Sequence, residues 1–371
     1  MIVRLKAQAP YWNVARFYTL RKSTNLWCAS SIHLTSTVLS ASIIQIFKSY
    51  FCGERMFMKD SVFFAFCFLL SSIVNFSSIA ATEQNEEAVE HVYFNPQLQE
   101  KAQLLHSLHR GDDLLILPNA WDALSAKMFE RQGAKAIATT SAGMAAIFGY
   151  ADGQQFPKDL LFVMVDRIVK SVTVPVTIDL EAGFGDTLEE ICETVLSILK
   201  LGAVGINIED ADPKRPGSLF PIAEQAEKIR AIKSLAHKLN VPFFLNARTD
   251  VFWLNIGDKE TQLKETLARL QAYKEAGADG IFVPGLTDQE FISEVVQKIP
   301  LPLNVLAGPW VKDLRTLKAL GVSRVTMGSS LTRECAGHLE TIVHQYLDGN
   351  YTLNPSLSYS MFNSLFQASS K

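Results

Sequence analysis

A chain of 371 residues, 48% of them hydrophobic, can bury a large core as one big domain or two small ones. Its formal net charge of -3 is unevenly spread: of 35 Lys/Arg and 38 Asp/Glu, residues 1–81 hold eight bases and two acids, so the remainder sets 27 bases against 36 acids, a net of -9. A body that acidic does not attract nucleic acid, whose affinity comes mostly from basic contacts to phosphate, and five cysteines, only Cys192 and Cys335 of them in the body, offer neither a disulfide framework nor metal-ligand spacing.

Residues 1–57 are basic, rich in Ser and Thr and nearly free of acids. They read as a gene-model extension, with translation starting at Met56 or Met58, or as a disordered leader; an organellar transit peptide has the same composition. Residues 58–81 have the three-part layout of a signal peptide: a basic start at Met58-Lys59, an apolar run from Val62 to Ile73, and small residues ending in Ser78-Ile79-Ala80-Ala81. The run is short for a membrane span. Use of this segment makes the protein exported, periplasmic or secreted; without it the protein is cytoplasmic or organellar. A polar linker, 82–96, leads to a body over 97–349, and 350–371 form a C-terminal tail.

The body alternates short apolar strands with amphipathic helices. Leu114–Leu117 is the first strand. Four later strands follow a helix-ending glycine: Gly133 before Ile137, Gly202 before Ile206, Gly277 before Ile281 and Gly321 before Val325. Glycine suits a left-handed helix C-cap. Three others enter through Pro175, Pro242 and Pro302, and proline is tolerated at the first residue of a strand. The two kinds interleave strictly, giving eight strands, with helices such as Leu188–Leu201, Ala223–Leu239, Glu260–Ala276 and Ser330–Leu347 between or after them. That pattern predicts an α/β fold, a (β/α)8 TIM barrel with eight parallel strands inside a ring of helices. An open doubly wound sheet is the alternative. The glycine fingerprint expected after its first strand is missing, and Asn119-Ala120-Trp121-Asp122 stands there instead.

Chemistry in such a barrel sits at the C-terminal ends of the strands. Those ends read Thr139-Thr140-Ser141, Asp179-Leu180-Glu181, Asn207-Ile208-Glu209-Asp210 and Asn246-Ala247-Arg248-Thr249-Asp250, then Pro284-Gly285 and Asn304. Alternation along a strand puts Asp179 with Glu181, Asn207 with Glu209, and Asn246 with Arg248 and Asp250 on common faces. Four carboxylates and one guanidinium thus converge, and buried like charges call for a cation. Oxygen ligands without His or Cys favour magnesium, calcium or manganese over zinc. The plain alternative is a ring of ion pairs closing the mouth. His91, His106 and His109 precede the barrel, and His237, His338 and His344 fall in outer helices, which disfavours a His-based triad or zinc hydrolase.

The segments Asp179-Leu180-Glu181-Ala182-Gly183-Phe184-Gly185, Asn207-Ile208-Glu209-Asp210 and Asn246-Ala247-Arg248-Thr249-Asp250, in that order, resemble the isocitrate lyase/phosphoenolpyruvate mutase superfamily. The resemblance spans roughly residues 97–349. It implies a (β/α)8 catalytic domain in a homo-oligomer, a dimer or a tetramer that exchanges its last helix. It implies that Asp179, Glu181 and Glu209 hold Mg2+, partly through water, with Mn2+ as the substitute. Thr140, Ser141 and Ala142 match the loop that binds the substrate carboxylate, Asp152 an acidic active-site position, and Arg248 the arginine that stabilises substrate or enolate charge. Asn246 is placed with the substrate-binding residues.

The departures narrow the activity. Lyases of this group that cleave isocitrate or methylisocitrate carry a Lys-Arg-Cys-Gly-His loop; here it reads Lys214-Arg215-Pro216-Gly217-Ser218, without the cysteine that protonates the carbanion. No asparagine follows Lys214, and Pro284 stands where mutases have a histidine. The expectation is a cysteine-free branch, oxaloacetate decarboxylase-like or carboxyphosphonoenolpyruvate mutase-like. It would be a carbon–carbon lyase, or a phosphonate-type mutase or hydrolase, acting on a small 2-oxo or 2-hydroxy carboxylate. Lys214 would take part in catalysis and Arg215 in holding a distal carboxylate or phosphonate. A non-catalytic barrel that binds metal and carboxylate is the reading from another class.

Overall fold

The computed structural model of the chain describes residues 96–350 and 355–367. The leader 1–57, the signal segment 58–81 and all but the last residue of the linker 82–96 lie outside the described residues. Helix α1 (Pro96–Arg110) is followed by β1 (Leu115–Leu117), β2 (Asn119–Ala120), α2 (Ala123–Arg131), β3 (Ile137–Thr139), α3 (Ser141–Ile147), α4 (Lys158–Ser171), β4 (Val176–Asp179) and α5 (Leu188–Lys200). Then come β5 (Gly205–Glu209), α6 (Ile222–Lys238), β6 (Phe244–Arg248), α7 (Lys259–Glu275), β7 (Gly280–Val283), α8 (Gln289–Lys298), β8 (Leu303–Leu306), α9 (Leu314–Ala319), β9 (Arg324–Thr326) and α10 (Ser330–Leu347). The expected tail carries a short helix, α11 (Tyr359–Ser364).

Every ladder is parallel, and the strand order is β1-β9-β8-β7-β6-β5-β4-β3-β2. Because β1 and β2 are consecutive in the chain, this order curls into a nearly closed (β/α)8 barrel. The first expected strand is in fact two segments. Pro118 lies between them and has no N–H for a ladder; β1 pairs with β9 and β2 with β3. The Asn119 side chain spans the seam. Its Nδ2 donates to the Thr139 carbonyl at 2.8 Å, and its Oδ1 accepts from the Met327 and Gly328 N–H groups at 2.8 and 2.9 Å.

The glycine joints appear as expected, with φ of 90°, 97°, 100° and 85° at Gly133, Gly202, Gly277 and Gly321, a region that penalises a Cβ. Helices bury one stripe each. In α5 a capping box of Thr187 and Glu190 starts the helix, and Ile191, Val195, Ile198 and Leu199 face inward at helical spacing. They pack against outward-facing strand residues such as Ile178 and Ile206, all fully or nearly fully buried. Each such side chain contributes about 1.5–3 kcal/mol.

The N-terminal end of the barrel is plugged by α1, whose His109 ring stacks on Phe244 with centroids 3.9 Å apart. Helix α10 does the opposite. Its first turn is half-buried, but none of its residues is fully buried among the described residues, and Leu339 and Leu347 are 62% and 77% exposed. Ile116, on a barrel strand, is itself 42% exposed, beside an apolar groove of about 640 Å3 that Leu108, Phe129, Met327 and Leu331 also line.

Candidate active site

The barrel mouth is built by β4, β5 and β6. Their register sets Asp179 beside Asn207, Asn207 beside Asn246, and Glu209 beside Arg248. Glu209 and Arg248 therefore share a face as neighbours, and Glu209 Oε2 lies 2.7 Å from Arg248 Nη1. The same guanidinium grips Asp250 with two donors, Nε to Oδ1 at 2.6 Å and Nη2 to Oδ2 at 2.8 Å. Its Nη1 stands 3.8 Å from Asp179 Oδ1. Burial works against the Arg248 cation, but the charges of Asp250, Glu209 and Asp179 hold its pKa well above the usual arginine value. Asp210 points the other way, out of the barrel. It accepts from Tyr273 Oη at 2.6 Å and from Arg269 at 3.1 Å, and ties the strand end to α7.

Asp179 is fixed from three sides. Its N–H donates to Thr139 Oγ1 at 2.9 Å, its Oδ1 accepts from Asn207 Nδ2 at 3.3 Å, and its Oδ2 accepts from the Ser141 N–H at 3.3 Å. Asn207 is oriented in turn by Asn246 Nδ2 at 2.9 Å and Arg324 Nη2 at 3.3 Å. Asn246 thus lies one pleat below Arg248, supporting Asn207 inside the barrel. Arg324 is fully buried there, and desolvation lowers its pKa to about 9 while Asp179 opposes the shift.

Glu181 lies past the end of β4, where alternation no longer governs. It faces the mouth through a left-handed backbone, φ 50°, and Gly183 and Phe184 follow at 114° and 52°. Left-handed geometry costs a residue with a Cβ roughly 1–2 kcal/mol. The Gln154 N–H donates to Glu181 Oε2 at 2.6 Å, and Gln154 Oε1 accepts from the Phe184 N–H at 3.0 Å. Burial first, then the charges of Asp152 and Asp179, push the Glu181 carboxyl up to about 8. Burial also drives Glu209 well above the carboxylate range against the pull of Arg248. Asp152 sits at the rim, open on one side, and is raised by partial desolvation and by Asp179. A cavity of about 250 Å3 lies between Asp152, Gln154, Glu181, Glu209, Pro216 and Leu254, suited to a small acid.

The mouth so brings together Asp152, Asp179, Glu181, Glu209 and Arg248, with Thr140, Ser141 and Ala142 beside them at the start of α3. Thr140 caps that helix, accepting from the Gly143 N–H at 3.4 Å. Lys214 and Arg215 are not drawn into the cluster. Both are solvent-exposed, Lys214 paired with Asp186 at 2.7 Å and Arg215 with Asp212 at 2.7 Å.

The donors fit a hard divalent cation. They are carboxylates without His or Cys, Glu181 and Glu209 are raised first by burial, and Glu209 Oε2 is buried with no partner beyond its ion pair with Arg248 among the described residues. No three such side chains among the described residues already stand close enough to ligate one ion directly. Gln154 holds Glu181 and Arg248 holds Glu209, which suits an ion reached partly through water, the usual habit of magnesium.

Sequence reasoning missed three residues that set this geometry: Gln154, Lys228 and Arg324. The Lys228 ammonium is buried, donates to the Ala182 carbonyl at 3.0 Å and lies 4.2 Å from the Phe220 ring centroid. A lysine beside Ile229 on the inner face of α6 was its only signal.

A parallel barrel with carboxylates and an arginine at the C-terminal mouth defines a class of enzyme folds, and comparison with known proteins places this member. The profile of the phosphoenolpyruvate phosphomutase family matches residues 105–347. The chain belongs to that family, within the isocitrate lyase/phosphoenolpyruvate mutase superfamily. An uncharacterized protein of Mycobacterium tuberculosis (strain ATCC 25618 / H37Rv) is 35% identical over 224 residues, 60% of this chain and 81% of that protein. An oxaloacetate decarboxylase of Pseudomonas putida is 30% identical over 169 residues, covering 44% of this chain and 55% of its own length. Among solved structures, a putative phosphonomutase from Burkholderia cenocepacia J2315 superposes with a TM-score of 0.63 at 39% identity, covering 67% of this chain and 99% of that one. A phosphonopyruvate hydrolase in complex with oxalate and Mg++ superposes with a TM-score of 0.63 at 25% identity, covering 71% of this chain and 94% of that one.

Proposed function

We propose that this protein is a magnesium-dependent lyase that breaks the bond beyond C3 of a small 2-oxo acid, with oxaloacetate-type decarboxylation as its reaction. What carries the reading is the mouth itself: a small cavity lined by Asp152, Glu181 and Glu209, with Arg248 paired to Glu209, under a loop in which Pro216 and Ser218 replace the acid-bearing residues of isocitrate-type lyases. Asp179, Glu181 and Glu209 would hold the ion. A bound divalent cation supplies Lewis-acid polarisation of the 2-oxo group.

The chain's own residues do the rest. Ala142 offers its first-turn N–H, which has no carbonyl partner within the helix, to the C1 carboxylate, beside the Ser141 N–H that holds Asp179. When the C3–C4 bond breaks, its electron pair passes to C3, the negative charge spreads to the C2 oxygen, and carbon dioxide leaves. Arg248, fixed by Asp250, is already oriented toward that charge, and a preorganised donor of this kind is worth roughly 3–4 kcal/mol. With no cysteine on the loop, solvent at the mouth returns the proton to C3. Lys214 and Arg215, on the loop after β5, would meet a distal anionic group only by leaving Asp186 and Asp212.

We further read α10 as the helix exchanged between copies of a homo-oligomer, which would cover the apolar groove beside Ile116.

The test is enzyme-dependent release of carbon dioxide from oxaloacetate, with Mg2+ and with EDTA. Asp179→Ala is expected to abolish metal-dependent turnover while the protein keeps its fold by circular dichroism. Unchanged activity in that variant, with EDTA harmless, would sink the mechanism. Release of phosphate from phosphonopyruvate would move the assignment to a hydrolase. Tight oxalate binding without turnover of any 2-oxo acid would make the barrel a binder.

A further inference from the structure

We propose that Lys228 and Gln154 form a two-sided clamp that positions the Glu181–Phe184 backbone and so aims the Glu181 carboxylate into the mouth, given the reading of that mouth as a divalent-cation site. Three of the four residues in this segment have left-handed backbone, and two of those three carry a side chain. Such a conformation persists only where its surroundings over-determine it. From the inner side of α6, Lys228 Nζ donates to the Ala182 carbonyl at 3.0 Å. From the connection between α3 and α4, Gln154 holds the flanking positions, its N–H on Glu181 Oε2 at 2.6 Å and its Oε1 on the Phe184 N–H at 3.0 Å. Ala182 follows Glu181 in the chain, so a rotation of the peptide that carries its carbonyl is passed through one Cα to Glu181.

The placement of Lys228 is costly and therefore informative. It is 3% exposed, on the helix face where Ala226, Ile229 and Ile232 enter the core. No carboxylate pairs with it among the described residues. Burial lowers its pKa to about 8, although Glu224, Asp210, Glu209 and Asp212 oppose the shift. The Phe220 ring, 4.2 Å away, supports the cation from one face. The partner it does have is a backbone carbonyl of the strained segment. Gln225, three residues earlier, reaches the Ile208 carbonyl at 3.4 Å in the same manner, so the start of α6 meets carbonyls of two neighbouring strand ends. A methionine at 228 would fill the same space and leave the Ala182 carbonyl without its donor.

Calorimetric titration of the metal-free protein with Mg2+, without substrate, tests the clamp. Lys228→Met and Gln154→Ala are each expected to weaken Mg2+ binding about 10- to 100-fold, the range found when partners of metal ligands are removed. Melting temperatures report that the fold is kept, and Lys228→Arg is expected to recover most of the affinity. If the wild-type chain binds Mg2+ and both variants bind it as tightly, the clamp is wrong and the metal reading stands. If Lys228→Arg is as weak as Lys228→Met, the donated hydrogen bond is not what matters and the clamp also fails. A wild-type chain that binds no Mg2+ overturns the metal reading and the clamp with it. Gln154 lies on a surface connection, so its variant decides the matter if Lys228→Met does not fold.

Discussion

Glu181 is the residue on which the mouth's electrostatics turn. Its pKa in the fold, about 8, stands above the ordinary value of 4.5 because burial and two neighbouring carboxylates penalise the charge. In cation-free protein it keeps its proton through neutral pH, and the stability it lends is complete below about 4.5 and is lost as the pH rises through about 8. To ligate an ion it must release that proton. Mg2+ affinity is therefore expected to climb from pH 6 to 8 and to flatten above, with proton release visible as a dependence of the binding heat on the buffer's ionisation enthalpy. An affinity constant over that range would contradict the assignment of Glu181 to the ion.

At the scale of elements, α1 shows how the barrel floor is made. His109 is 4% exposed, donates from Nδ1 to the Leu105 carbonyl at 2.7 Å, and has a pKa pushed down to about 3 by burial, then by Arg324. A histidine depressed in the fold is bound to its proton more tightly when unfolded. Its stabilising share is whole above about 6.5 and drains as the pH falls toward 3, at up to about 1.4 kcal/mol per pH unit. Urea unfolding at pH 7.5 and pH 5 should show that loss, and His109→Phe should reduce it; equal slopes in the two proteins would remove His109 from the account. The elements themselves were legible because each strand is announced by a glycine cap or a proline start, and Asp179, Glu209 and Arg248 were legible because they break apolar strands at one end. The split at Pro118 was hidden, since a one-residue break in ladder pairing leaves the apolar run intact. Gln154, Lys228 and Arg324 act across 27 to 117 residues of sequence, on Glu181, Ala182 and Asn207. Spacing cannot foretell contacts that only the closed barrel creates. Glu181 reached the expected face by a reversed backbone rather than by strand alternation.

For the whole molecule the exposed α10 is the feature to explain. Leu339, Val343 and Leu347 lie exposed on it while Ile116 is exposed on the barrel, an arrangement that two copies can satisfy mutually. Light scattering after size exclusion is expected to give a mass above one chain, and a truncation before Ser330 is expected to give a monomer that binds apolar dyes; a monomeric full chain would refute the exchange. That arm also has a root. The chain departs for it at Met327 and Gly328, whose N–H groups are latched to the single carboxamide of Asn119, and Thr332 lies over Gly143 so closely that a Cβ there would sit 2.8 Å from its Oγ1. Gly143 belongs to α3, the helix that presents Ser141. Tension on the arm thus reaches the corner that receives the acid, and diluting the assembly until it falls apart should cost catalytic competence together with partnership.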